Sequence, residues 1–290
     1  MISEPLNVAG HKNYPAGTAH GYAATIGGDV GSFHHNLISH AEGRSWSMGG
    51  GVDDNSTFAG RLDIRNNVVY NFGPSSYCPF PCPVTGTNAT PEPSFFPSYI
   101  EEHTSTEAYK RVLSDSGASQ PVVDDHDKRI IQETLNGTAT YKGSKTGKPG
   151  LIDNEADVGG LEDFPTTTRP TNWDANDDGI ADWWDGSTGG DGYTAIEGYI
   201  NFLADPHVFV APGASIEYDL ASLAGGFSNP AFKVSGGELG SVSVVGTVAT
   251  YAAGDKAGID HFNVTISDDK GSTWERSVGV AIFEGADSVE

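Results

Sequence analysis

Ser32-Phe-His-His-Asn-Leu-Ile-Ser-His-Ala-Glu-Gly-Arg44 is followed by Arg61-Leu-Asp-Ile-Arg-Asn-Asn-Val-Val-Tyr-Asn71. The two stretches align without a gap when Asn36 is laid on Asn67, 31 positions later. Phe33, His35 and Leu37 then fall on Ile64, Asn66 and Val68, alternate positions that point to one side of an extended strand. A repeat of this length and texture suggests successive coils of a parallel β-helix, each stacked on the last. Arg44 stands between the two strand-like runs and is a catalytic candidate.

The rest of the chain is read outward from this repeat. Its 290 residues suffice for about two domains, and 37% hydrophobic residues with 38 glycines favour turn-rich β structure over a helical bundle. No apolar run is long enough to span a membrane, and Met1-Ile-Ser-Glu-Pro5 has neither the basic start nor the apolar stretch of a signal peptide. A net charge of -23, from 39 acids against 16 bases, disfavours nucleic acid and anionic membrane as partners and favours metal cations. The same field also serves simple solubility. Cys78 and Cys82, in Cys-Pro-Phe-Pro-Cys, close a small loop that a disulfide can bridge in an oxidising compartment. Asn55, Asn88, Asn136 and Asn263 head glycosylation triplets, weak support for export.

Four regions are expected. Residues 1–100 hold the partial β-helix, with a Pro-, Ser- and Thr-rich connection at its end. Residues 101–172 form a helical and irregular tail packing on it. Helical character runs from Glu101 to Leu113 and from Val123 to Leu135, where Gly137 stops it; residues 141–172 read as surface tail. Residues 173–206 are an acidic unit. Residues 207–290 alternate in short runs, Ser241 to Val248, His261 to Ile266 and Arg276 to Phe283, with turns at Ala253–Asp255 and Ser267–Gly271. That pattern predicts an immunoglobulin- or cadherin-like β-sandwich without a catalytic constellation.

The acidic unit carries a ligand pattern. In the twelve residues Asp174 to Asp185, Asp174, Asn176 and Asp178 take the first, third and fifth positions of an EF-hand loop, and Gly179 takes the sharp turn. Ile180 offers its carbonyl, Asp182 the ninth position, and Asp185 stands where a bidentate Glu usually closes the loop. Calcium is the cofactor this spacing implies, in a structural role; an acidic turn without an ion is the alternative. Asp191 to Glu197 resembles the end of a second loop but lacks the acids that should precede it. Five histidines precede residue 41, and adjacent His34 and His35 should point to opposite faces of a strand, which favours buried, hydrogen-bonded roles over zinc. Trp183 and Trp184 should pack against the helix that follows.

Phe33-His-His-Asn-Leu37, Arg44 and Leu62-Asp-Ile-Arg-Asn-Asn-Val-Val-Tyr-Asn71 together resemble the pectate lyases of the parallel β-helix class. Glu107-Ala-Tyr-Lys-Arg-Val-Leu113, Asp124-Asp-His-Asp-Lys-Arg-Ile130, Asp157-Val-Gly-Gly160 and the calcium loop resemble the tail of one branch of that family, so the resemblance covers roughly residues 1–206. It implies an exported monomeric enzyme that cleaves acidic plant cell-wall polygalacturonate by calcium-dependent β-elimination. It also implies that Arg44 is the base, with His20 and Lys12 as candidate substrate-binding residues. Read from its own residues, Arg44 has a plainer alternative, a surface salt bridge to Glu42 or Asp63. The chain departs from the family at Gly49, where many relatives carry a second arginine. In the family, coils bearing the substrate-bridging calcium would precede Ser3, so the resemblance implies an all-β chain that enters partway, a truncated right-handed parallel β-helix. The rival reading is a non-catalytic protein that binds or structures cell-wall carbohydrate.

Overall fold

A computed structural model describes residues 1–8, 10, 12–26, 30–48, 61–72, 100–120, 123–162, 169, 173–185 and 192–286. These fall into two compact units, Met1–Gly117 with Asp125–Glu162, and Ala118–Asp124 with Asp163–Glu290. Among the described residues the chain is mostly β, with fourteen strands and three α-helices, and no helix is long and apolar enough to cross a membrane. The two cysteines and the triplets at Asn55 and Asn88 lie outside the described residues.

The first unit contains β1 (Ile2–Ser3), β2 (Tyr22–Ile26), β3 (Val30–His34), β4 (Leu37–Ser39), β5 (Gly43–Met48), β6 (Arg61–Arg65) and β7 (Val68–Tyr70). Every pairing among them is parallel: β2 with β5, β3 with β6, and β4 between β1 and β7. Phe33 lies opposite Ile64 and Leu37 opposite Val68, so the hydrogen-bonded register has the offset of the sequence repeat.

Two residues, His35-Asn36 and Asn66-Asn67, turn the chain between consecutive strands. His35 and Asn66 adopt left-handed backbone, φ 52° and 55°, which asparagine tolerates better than most residues. The following asparagines stack. The Asn36 amide donates to Asn67 Oδ1 at 2.9 Å, as does the Asn36 backbone N–H, and Asn67 Nδ2 donates to the Phe33 carbonyl at 2.8 Å. The side chains thus satisfy corner groups that no strand can reach. A second column of left-handed residues, Glu4, His40 and Asn71, follows β1, β4 and β7.

α1 (Ser105–Asp115) and α2 (Asp125–Asn136) cover the β4 side, where Leu37, Val112, Leu113 and Ile130 are buried together. α1 starts later than Glu101 because Thr104 and Glu107 form a reciprocal capping box. Residues 141–162 are not the surface tail expected from their glycines and prolines, for Leu151, Ile152 and Asp153 are buried. Asp153 Oδ2 accepts from the Lys145 and Thr146 N–H groups at 2.7 and 2.8 Å. Asp157 Oδ2 accepts from those of Ser144, Asp153 and Asn154. Desolvation alone would raise the Asp157 pKa; these N–H donors override it and hold the carboxyl at about 2. Two aspartates therefore organise this segment by gathering backbone donors.

In the second unit α3 (Ala195–Ala204) precedes β8 (His207–Val210), β9 (Ser215–Asp219), β10 (Ala231–Gly236), β11 (Gly240–Val245), β12 (Val248–Ala253), β13 (Gly258–Ser267) and β14 (Thr273–Ile282). One sheet runs β10-β13-β14-β8 and the other β11-β12-β9, all antiparallel except β14 with β8. Both sheets feed one apolar core that includes Val210, Tyr251, Phe262, Val264, Val278 and Ile282. The run Ser241 to Val248, read as one strand, is a hairpin, because Gly246 at φ 62° makes the turn between β11 and β12. Buried Asp260 accepts from the Tyr251 hydroxyl and from the N–H groups of Glu238, Leu239 and His261. Desolvation raises the Tyr251 pKa; for Asp260 those four donors outweigh desolvation and lower it.

Candidate functional site

Arg44 occupies the second position of β5, half-buried, with φ 50°. A left-handed backbone costs a non-glycine residue about 1–2 kcal/mol and needs a surrounding structure that enforces it. The enforcing contacts come from the segment before β2. The His20 N–H donates to the Asn7 carbonyl at 2.7 Å, Gly21 N–H to Asn7 Oδ1 at 3.3 Å, and Glu42 N–H to the Gly21 carbonyl at 2.7 Å. A Cβ on Gly21 would lie 2.6 Å from the Pro5 carbonyl oxygen, so no larger residue fits. Tyr22 pairs with Gly43, and its ring centroid sits 4.6 Å from Arg44 Cζ. The His20 ring lies 4.2 Å from that of Tyr22, centroid to centroid, and the Tyr14 ring 4.7 Å from that of His20. The result is a row of successive contacts, Tyr14 to His20 to Tyr22 to the Arg44 guanidinium, the last a cation–π contact.

Of the three residues assigned to this site from the sequence, Arg44 and His20 belong to that row, while Lys12 is exposed in the turn ahead of Tyr14. The two carboxylates read as alternative partners of Arg44 are engaged elsewhere. Glu42 pairs with Lys148, and Asp63 takes Arg65 at 2.7 Å and the Ser32 hydroxyl at 3.2 Å. Sequence reading missed Tyr22, whose only signal is its place in a β-like run. It also missed Lys148, which the aspartate-organised segment delivers to Glu42 from 106 positions away.

The histidines serve structural contacts. His40 is fully buried; its Nε2 lies 3.0 Å from Glu133, its Nδ1 accepts the Asn71 amide at 2.7 Å, and its ring meets Tyr70 edge-on. Arg129 bridges Glu133 at 3.2 Å to Glu4 at 2.7 Å, and the Thr140 N–H donates to Glu133 at 3.0 Å. Burial pushes the His40 pKa down, and with Asn71 donating to Nδ1 the neutral ring carries its proton on Nε2, which lies 3.0 Å from Glu133 but has no hydrogen-bond partner among the described residues. For Glu133, burial alone would raise the pKa; Thr140 and Arg129 reverse that and hold it below its usual value. His34 and His35 do not point apart. His35 lies beyond the end of β3 in left-handed backbone, so its Nδ1 comes within 3.0 Å of His34 Nδ1 and its Nε2 within 2.8 Å of His103. Among the described residues no group of three or more His, Cys, Asp and Glu side chains is set to hold a metal ion.

The acidic loop folds on its own backbone. Asp174 accepts from the N–H groups of Asp178 and Gly179 at 3.1 and 2.9 Å, and Asn176 Nδ2 donates to Asp178 at 2.9 Å. Asp178 accepts from Ile180 N–H at 2.8 Å, and Asp182 from Ala175 N–H at 3.1 Å. Asp177 and Gly179 supply the left-handed turns, φ 57° and 84°. The side chains of Asp174, Asn176, Asp178 and Asp182 therefore tie the loop together through its own N–H groups, and among the described residues they do not form a group of three acids set to hold an ion. Trp183 and Trp184 pack on Tyr199 and Phe202 of α3, and Trp183 stacks on Phe283. Glu197, the end of the supposed second loop, is spent on a capping box with Thr194 at the start of α3, and Asp191 lies outside the described residues.

No family model matches the chain, and no curated protein matches it. Among solved structures it is similar to a nucleoside hydrolase-related hypothetical protein from Saccharophagus degradans that is associated with carbohydrate metabolism. That similarity has 19% identity and a TM-score of 0.23, over 28% of this chain and 23% of that one. It is also similar to the PKD domain from KIAA 1837 protein, at 17% identity and a TM-score of 0.22, over 27% of this chain and 80% of that domain.

Proposed function

We propose that the chain is pectate lyase-like and exported, that its first unit is a stretch of right-handed parallel β-helix, and that its two carboxy-terminal sheets are a β-sandwich appendage. The substrate is (1→4)-linked polygalacturonate. The observation that carries this reading is Arg44: a half-buried arginine in strained backbone, at the start of a strand in a parallel 31-residue repeat, held, among the described residues, on an aromatic face rather than by a carboxylate.

The chemistry is β-elimination. Arg44, having released one guanidinium proton to water, is proposed to take the C5 proton, which lies next to the uronate carboxylate. The C5 electrons form the C4–C5 double bond, the C4–O bond breaks with its electron pair going to oxygen, and water gives that oxygen a proton, so it leaves as a hydroxyl. The chain's part is to hold the guanidinium within hydrogen-bond reach of C5. Calcium supplies neutralisation of the uronate carboxylate when bound with the substrate. A separate, structural calcium is assigned to Asp174, Asn176, Asp178, Asp182, Asp185 and the Ile180 carbonyl, a donor set of hard oxygens that suits it.

The test is absorbance of the unsaturated uronide product on adding polygalacturonate with calcium. Product growth that disappears in Arg44→Ala supports the lyase. A folded wild-type protein that yields no product, yet is retarded in a polygalacturonate gel, supports the carbohydrate-binding alternative instead.

A further inference from the structure

We propose that Tyr22 is the positioning residue of Arg44, the shelf that fixes the guanidinium where an acidic sugar must meet it; this rests on the lyase reading of the same site. A long arginine side chain at a half-buried position has many rotamers and loses reaction rate unless one is selected. Nothing charged selects it from the two carboxylates nearest in sequence pattern, since Glu42 is turned to Lys148 and Asp63 to Arg65. Among the described residues the Tyr22 ring, 4.6 Å away, is the group that meets it.

That ring is itself fixed from three directions. Its backbone follows Gly21, which is crowded against Pro5 and hydrogen-bonded to Asn7 and Glu42. Its strand is in register with β5, Tyr22 opposite Gly43. The ring also meets that of His20, which in turn meets Tyr14. The left-handed φ of Arg44 points the same way, because a strained backbone is kept only where its surroundings determine it. An aromatic face favours the charged guanidinium, so what Tyr22 contributes is placement and orientation toward a carboxylate-bearing ligand, not activation of a base.

The experiment compares Tyr22→Leu, which removes the π face, with Tyr22→Phe, which keeps it. The first readout is independent of catalysis: the Arg44 Nε–Hε proton resonance, displaced by the ring current in the wild type. It should stay displaced in Tyr22→Phe and return to the position of a free arginine in Tyr22→Leu. An unchanged resonance in Tyr22→Leu overturns the proposal. The second readout is steady-state elimination of polygalacturonate, in which Tyr22→Leu should lower kcat about tenfold with KM unchanged, and Tyr22→Phe should restore it. Loss confined to KM, or failure of Tyr22→Phe to restore kcat, also overturns it. If the wild type produces no unsaturated product while the resonance behaves as stated, the lyase reading fails and the placement of Arg44 by Tyr22 stands. Should Tyr22→Leu not fold, His20→Leu removes the ring that Tyr22 meets and must broaden or shift the same resonance; an unaltered line there counts against the shelf.

Discussion

The two units bury different things. Among the described residues every polar or charged side chain counted as buried belongs to the first unit, Glu4, His40, Lys110, Asp127, Glu133 and Asp153 among them, with the sole exception of Asp260 in the second. The second unit instead packs valines, isoleucines, Phe262 and Tyr251 between two sheets. The difference follows from geometry. Short parallel rungs enclose little apolar volume, so the helices covering them are held by paired charges around Leu37 and Ile130 as well as by contact. The two sheets of the second unit make a broad apolar interior in which Asp260 is the one buried charge among the described residues. The lesson is that the first unit depends on specific partners, while the second depends on volume.

Substitution that preserves shape should separate the two most strongly. Glu133→Leu leaves Arg129 and His40 without their shared partner and is expected to cost about 3–5 kcal/mol, as for a broken buried pair. Phe262→Leu, equally buried, should cost less, about 1–2 kcal/mol, because an apolar core repacks. Urea unfolding checks both, with helical circular dichroism weighted to the first unit by α1 and α2, and tryptophan emission, in a Trp46→Phe background, reporting the second unit. Equal costs would break the comparison.

Calcium should act on one unit alone. At about a hundredfold excess over its dissociation constant it should stabilise the second unit by about 2.7 kcal/mol, read as a shifted emission melt that Asp174→Ala abolishes. The first unit should not respond.

Acid should weaken the first unit in successive steps. The depressed His40 pKa means that its contribution is complete above about pH 6.5, the unfolded value, and is lost as pH falls from there toward the lower folded value. Glu133, also depressed, contributes above its unfolded value of about 4.3 and loses that contribution as pH falls through its folded value. His207 has the same sign in the second unit, so the distinguishing measurement is the urea midpoint against pH in Glu133→Gln, which should flatten the lower limb for the first unit only.

Relief of strain should be smaller. Arg44→Gly is expected to raise the stability of the first unit by up to about 1 kcal/mol while abolishing elimination, a gain measurable by the same melts. Least of all, Thr194→Ala should remove the α3 cap for about 1 kcal/mol or less, seen in the emission melt.

Legibility in the sequence tracked distance along the chain. The rung repeat could be read because strand alternation and the corner asparagines recur at one offset, and the pairing kept that offset. The sharp turn of the acidic loop could be read because Gly179 falls at the sixth position of one twelve-residue pattern. The contacts that join Glu42 to Lys148 and His40 to Glu133 could not, since residues about a hundred positions apart carry no local mark of their partnership. Tyr22 was hidden for a different reason: an aromatic in a strand looks the same whether it packs, faces solvent or carries a cation. The start of α1 was legible in Thr104 and Glu107 but was set too early by the charged residues ahead of them.

The two-residue corner of His35-Asn36 and Asn66-Asn67 also governs how such a chain can change length. One codon added there would slip β4 against β7 and turn Leu37 from the helices toward water. Between β5 and β6 the chain already has twelve residues where the link between β2 and β3 has three. Insertions and deletions among homologous genes should therefore gather at that second link and spare the asparagine corner, leaving a hot spot of length variation beside a stretch of constant spacing.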